Sequence, residues 1–233
     1  MIDEQLRNGS ATCMALTLLD KVIWPERPRS YADPEPLKAK SLRSFGIHRA
    51  TPDKKDGRSG TLVSKKNERT IPYESQIEFK CLAMLEASAR VKGYAVQALR
   101  IPVSKAQNYY PDIFIWTTDE HCVLCEVKPV KEMGFFEQWL KWKALRAHCN
   151  EHGYGMLITD GTIAIQDLRS HPVPPAMAEY FEQCFLDRGQ IQWNDFHDLR
   201  NTHGVTWKDL TAYVYQHRLV MKREPRFSIT RPV

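Results

Sequence analysis

The sequence predicts an α/β protein with a mixed central sheet flanked by helices, followed by a small helical module that ends in a β-hairpin. Three observations predict it. Two segments with helical spacing of apolar residues, 73–92 and 134–152, bracket runs of strand-like alternation. A proline cluster, His171-Pro-Val-Pro-Pro175, closes that part. Residues 176–233 then read as three short helices and two terminal strands.

Residues 1–36 read as an appended N-terminal extension. Within it, 14–24 suits a short helix or strand, and Pro25, Pro28, Pro34 and Pro36 interrupt regular structure beyond it. Residues 37–72 form a basic lead-in with a turn at Gly57 and Gly60. The first helix, 73–92, has Ser75 as N-cap with Glu78 three positions on, a capping-box spacing. Ile77, Cys81, Leu82 and Leu85 supply its apolar stripe, and Gly93 is expected to stop it. Strands are expected at 95–103, 112–117 and 121–127. The helix 134–152 comes next, then strands at 155–159 and 162–166. Helices at 176–187, 194–203 and 207–217 and a hairpin of 219–222 with 226–230 complete the chain, a winged-helix-like pattern. Thr206 with Asp209 marks the start of the last helix. The expected domains are therefore 1–36, 37–170 and 171–233.

Composition narrows the function classes. Of 233 residues, 42% are hydrophobic and 26% charged, which excludes collagen-like, coiled-coil and wholly disordered chains. No stretch reaches the ~20 apolar residues of a membrane helix. Asp3 and Glu4 outweigh Arg7 where a signal peptide needs positive charge, so a cytoplasmic protein is expected. The net charge of +5 is uneven: 37–72 alone carries +7, leaving −2 elsewhere. A second basic cluster comprises Arg218, Lys222, Arg223, Arg226 and Arg231. Both point to a polyanionic partner. Arg58, Lys65, Lys66 and Arg69 are the candidate DNA-phosphate contacts.

Cys122-x-x-Cys125 is half a zinc motif without a second half, and on a strand its two thiols point to opposite faces. Phe135, Phe136, Trp139 and Trp142 suit core packing better than base stacking. His171, His197, His203 and His217 show no ligand spacing.

The chemistry resides elsewhere. If 112–117 and 121–127 form a hairpin looped at 118–120, residue 117 opposes 121 and Asp112 opposes Glu126. Glu126 and Lys128 share a face. Opposed carboxylates need a compensating cation, and a hard divalent ion such as Mg²⁺ prefers carboxylate oxygen. The neighbouring lysine can position water or stabilise charge growing on a phosphate. Glu78 is expected to point its carboxylate from the first helix toward the sheet.

The ordered set Glu78, Pro111-Asp112 and Glu126-Val-Lys128 resembles the PD-(D/E)xK nuclease superfamily. The fuller text is similar to the TnsA family: Gly60-Thr-Leu-Val-Ser64, Ile71-Pro-Tyr-Glu-Ser-Gln-Ile-Glu78, Pro111-Asp112, Glu126-Val-Lys128-Pro129 and Leu157-Ile-Thr-Asp160. The likeness covers roughly 40–233. It implies a restriction-endonuclease-like core and a metal-dependent endonuclease that cuts the 5′ ends of a transposon. Glu78, Asp112 and Glu126 would be metal ligands and Lys128 the catalytic lysine, with Mg²⁺ as cofactor and Mn²⁺ able to substitute. Ligand identity at Glu126 varies within the family, and a further helix acid, Glu132 or Glu137, is left unassigned. Implied partners are double-stranded DNA at the transposon ends, a TnsB-like DDE transposase and a TnsC-like AAA+ regulator docking on 171–233. DNA binding would place the protein at the nucleoid. A stand-alone restriction-like nuclease or junction resolvase, and a non-catalytic DNA-binding scaffold, are the alternatives.

Overall fold

The computed structural model describes residues 18–31, 59–102, 108–224 and 226–232. Most of the basic lead-in, Arg58 included, and the start of the expected 14–24 element lie outside these residues. The chain divides into two compact units. The first comprises residues 1–128 and 143–164, and the second 129–142 and 165–233.

The first unit is organised on a mixed four-stranded sheet flanked by helices. An antiparallel hairpin, β1 (Gly60–Ser64) and β2 (Arg69–Tyr73), leads into α1 (Gln76–Ala87). The sheet order is β3 (Val91–Val96), β6 (Ile113–Thr117), β7 (Cys122–Val127), β8 (Gly155–Thr159). The first two pairings are antiparallel, and β7 with β8 is parallel. A small ribbon of β4 (Ile101–Pro102) and β5 (Asn108–Tyr109) precedes β6. Of the second long helix, α2 (Phe136–His152), residues 143–152 count with the first unit and 136–142 with the second.

α1 begins where its sequence directs. The Ser75 side chain accepts the N–H of Glu78. Cys81, Leu82, Met84 and Leu85 bury against Ile113, Ile115, Val123, Cys125, Val127 and Leu157. The helix stops at Ala87, not at Gly93. Ser88 is its C-cap, and Val91 and Gly93 pair in β3 with Thr117 and Trp116. Asn67 explains why the chain runs extended there: its side-chain oxygen accepts the Tyr94 N–H at 3.0 Å. Glu86 ties the hairpin to α1. It accepts the Ser64 hydroxyl at 2.7 Å, the Lys65 N–H at 2.7 Å, the Lys66 N–H at 3.1 Å and the Tyr94 hydroxyl at 2.7 Å.

Two further expectations change. The strand expected at 95–103 breaks after Val96, because Gln97 adopts a positive φ of 46° and its N–H turns to the Asp112 carbonyl. No strand forms at 162–166. Asp160 closes a turn on the N–H groups of Thr162 and Ile163, both at 2.9 Å, and Gly161 takes φ 85°. Only a Thr159–Ala164 bridge remains before a 3₁₀ turn, Ile165–Arg169. Residues 18–31 contribute to the first unit directly. Leu18, Leu19 and Val22 belong to the buried core, and Ile23 exchanges backbone hydrogen bonds with Met156 at 2.8 and 2.9 Å.

The second unit has α3 (Pro175–Arg188), β9 (Gln190–Gln192), α4 (Trp193–His203), α5 (Trp207–Gln216), β10 (Val220–Glu224) and β11 (Arg226–Thr230). Its antiparallel sheet is ordered β10-β11-β9, with β9 a strand that the sequence pattern does not announce. Phe181, Ile191, Phe196, Leu210, Tyr213, Met221 and Ile229 fill its core. Thr206 and Asp209 form the expected capping box. Of the four aromatics between 135 and 142, Phe135 and Trp142 are buried, but Phe136 is 40% exposed and so does not pack in a core. Among the described residues no helix is long and apolar enough to cross a membrane.

Candidate active site

β6 and β7 pair in the register that their three-residue loop dictates, with Trp116 opposite Cys122, Phe114 opposite Leu124 and Ile113 opposite Cys125. Continued by one position, that register sets Asp112 against Glu126. Asp112 stands at the entry to β6. Its Oδ2 accepts the Val127 N–H at 2.7 Å and the Lys128 ammonium at 3.1 Å. Glu126 is 2% exposed. Its Oε1 lies 2.8 Å from Lys128 Nζ, and its Oε2 accepts the Tyr109 hydroxyl. One ammonium thus bridges two carboxylates. The Lys128 backbone N–H is held by the Thr159 carbonyl at 2.9 Å, so the Leu157–Asp160 segment positions the lysine through β8.

The charges act on one another strongly because the site is buried. Burial, reinforced by the Asp112 charge, pushes the Glu126 carboxyl up to about 7, against the opposing pull of Lys128. Burial alone would lower the pKa of Lys128, but Glu126 and Asp112 outweigh it and hold the ammonium above its ordinary value. Burial, with Glu126 and Asp112 adding to it, raises the Tyr109 phenol well above its usual range, so it remains a donor.

Glu78 is placed differently. Its Oε2 accepts the Glu74 N–H at 2.8 Å and its Oε1 accepts the Ser75 hydroxyl at 3.0 Å. The carboxylate is therefore turned back into the cap of its own helix. Sheet alternation explains the separation. Val123, Cys125 and Val127 join the core beneath α1, so Glu126 projects from the opposite face. Burial raises the pKa of Glu78, and the Asp112 charge adds to this. Among the described residues no hydrogen bond or ion pair joins Glu78 to Asp112, Glu126 or Lys128. The structure thus brings together Asp112, Glu126 and Lys128, and leaves Glu78 outside this hydrogen-bonded set, with the Asp112 charge among the causes that raise its pKa.

Tyr109 is a site residue that the sequence motifs do not single out. Its signal is its place three residues before Asp112, in Tyr109-Tyr-Pro-Asp112, but the two-residue strand that carries it has no periodicity to read.

The donor set fits a hard divalent cation. It offers carboxylate oxygens only, and Asp112 Oδ1 has no hydrogen-bond donor among the described residues. Burial is the first cause of the raised Glu126 pKa and the Asp112 charge the next, so a cation at the site would relieve the repulsion between the two carboxylates.

The candidate DNA contacts separate. Lys65 is exposed, while Arg69 is half-buried. Lys66 donates its ammonium to the carbonyls of Ser88 at 2.8 Å and Val91 at 2.7 Å, so its charge serves the end of α1. Glu132 pairs with Arg223 within the second unit. Cys122 and Cys125 are buried free thiols, with burial pushing Cys122 up to about 12. The second unit carries an open groove of about 740 Å³, where Trp193, Trp207 and Phe227 are bordered by Arg226 and Lys131.

No family model matches the chain, and no curated protein matches it.

Proposed function

We propose that the protein is a metal-dependent DNA endonuclease with a restriction-endonuclease-like core, acting as the TnsA-like subunit of a cut-and-paste transposase. The observation that carries this reading is the convergence of Asp112, Glu126 and Lys128 at the ends of two paired strands. Asp112 and Glu126 would hold Mg²⁺, and Mn²⁺ would serve in its place. When bound, the ion supplies Lewis-acid stabilisation of a phosphodiester oxygen and a more acidic water. Lys128 places a fixed positive charge where negative charge grows on the phosphate, and it can orient the attacking water. Tyr109 holds the Glu126 carboxylate in place. Glu78 acts on the site through its charge and the start of α1, and becomes a ligand only if its cap opens.

The second unit, read as winged-helix-like, is the docking module for the TnsC-like regulator, and its aromatic groove with basic rim is the surface offered. The basic lead-in contacts DNA phosphates without reading bases. Recognition of the transposon ends falls to the TnsB-like partner.

The test is cleavage of a labelled transposon-end duplex by the purified chain, with and without Mg²⁺ and the DDE partner. The expected outcome is a 5′-strand cut only when both are present. Cutting at a defined sequence without a partner would favour the restriction-like alternative, and no cutting under any condition would favour the scaffold.

A further inference from the structure

The C-terminal end of α2 carries a cluster that the proposed nuclease site does not use. His148, Glu151 and His152 are spaced i, i+3, i+4 and so share one face of the helix. One ligand atom from each lies within 4.8 Å of the others. Two independent observations prepare these groups for a ligand. First, His152 Nδ1 lies 3.0 Å from the His148 carbonyl oxygen. Only a protonated Nδ1 can make that bond, which leaves Nε2 as the lone pair. A backbone carbonyl holding the far nitrogen in this way is the usual outer partner of a metal-bound imidazole. Second, His148 Nε2 is shut off from solvent and has no hydrogen-bond partner. A buried polar nitrogen left in that state needs an explanation, and a bound ion supplies one.

The surroundings hold the cluster in place. The two imidazoles stack at 4.1 Å with their planes 27° apart, so a rotation of the rings is needed to turn their side-by-side lone pairs onto one ion, and Tyr154 packs on both, at 6.1 Å from His148 and 5.6 Å from His152. The Tyr31 hydroxyl donates to the His152 carbonyl. The last turn of a helix also presents the negative end of its dipole, which favours a cation.

We propose that His148, Glu151 and His152 form a binding site for a divalent transition-metal ion of the Zn²⁺ class. Two imidazoles and one carboxylate suit Zn²⁺, and equally Ni²⁺ or Cu²⁺, whereas Mg²⁺ prefers oxygen ligands throughout. Three protein ligands leave one position of a tetrahedral ion for solvent. The two histidines lie about one turn apart on the same helix face, so a bound ion clamps the end of α2. The inference is independent of the nuclease reading.

The test is calorimetric titration of Zn²⁺ into the full chain in excess Mg²⁺, which keeps the carboxylate site occupied. The wild-type chain should bind one equivalent. His152→Ala should weaken binding by more than the roughly 10–100-fold that loss of an outer partner costs. Glu151→Lys, at an exposed position that leaves folding intact, should weaken it as well by setting a cation against the ion. A Co²⁺ spectrum without thiolate charge-transfer bands should exclude the cysteines as ligands. Failure of the folded wild-type chain to bind Zn²⁺ would overturn the proposal, as would unchanged binding in both variants.

Discussion

Lys128 balances the charge of the candidate site. Its ammonium lies 3.1 Å from Asp112 and 2.8 Å from Glu126, so it occupies the electrostatic position that a cation would share. Lys128→Ala should therefore keep or increase Mg²⁺ affinity while lowering cleavage by about 10²–10³, because in the proposed mechanism the lysine acts on charge that appears only in the transition state. Metal titration beside a cleavage assay checks this, and parallel loss of both would make the residue structural. Tyr109 acts one step further out, holding Glu126 through its hydroxyl. Tyr109→Phe preserves the ring and removes only that bond. It should weaken Mg²⁺ binding roughly 10-fold or more with the fold retained. Equal Mg²⁺ affinity in the variant would remove Tyr109 from the site.

At the scale of elements, Glu86 joins the β1–β2 hairpin to α1 and β3. Burial acts to raise its pKa, but hydrogen bonds from Ser64, Tyr94 and the N–H groups of Lys66 and Lys65 outweigh it, and the folded value lies below the ordinary 4.5. The folded state thus favours the ionised form. The contribution is complete above 4.5 and disappears as the pH falls through the lower folded value. Glu86→Gln should cost on the order of 2 kcal/mol at neutral pH. In denaturant titrations the gap from wild type should close on acidification, and a gap independent of pH would contradict the assignment.

The elements legible in the sequence share a local cause. Ser75 with Glu78 and Thr206 with Asp209 are caps decided within four residues, and the β6–β7 register comes from alternation and loop length. The features that are not legible depend on distant partners. Nothing near Lys66 in the chain reveals that its ammonium meets Ser88 and Val91. The amphipathic pattern of α1 directs Glu78 toward the sheet, yet a first-turn carboxylate has orphan N–H groups closer at hand. The burial of Leu18 and Leu19 is hidden because a short apolar run before a proline cluster has no periodicity of its own.

For the whole molecule, the candidate site and the aromatic groove fall to different units. Asp112, Glu126 and Lys128 lie in the first unit and the groove in the second. Arg226 borders that groove, is exposed, and holds Asn194 at 3.3 Å. Arg226→Glu should leave the fold and intrinsic metal binding unchanged while reducing regulator-dependent cutting in the complete reaction. Normal regulator dependence in the variant would place docking elsewhere. On the proposed function, Asp112, Glu126 and Lys128 form a phosphodiesterase site. Strand-resolved cleavage of a transposon-end duplex in the assembled complex, comparing wild-type chain with Asp112→Ala, tests it most directly. The 5′-strand cut should fall by about 10²–10³ or more, while the partner's 3′-strand cut persists and the variant stays folded. A folded Asp112→Ala protein that cuts the 5′ strand at the wild-type rate would contradict the claim.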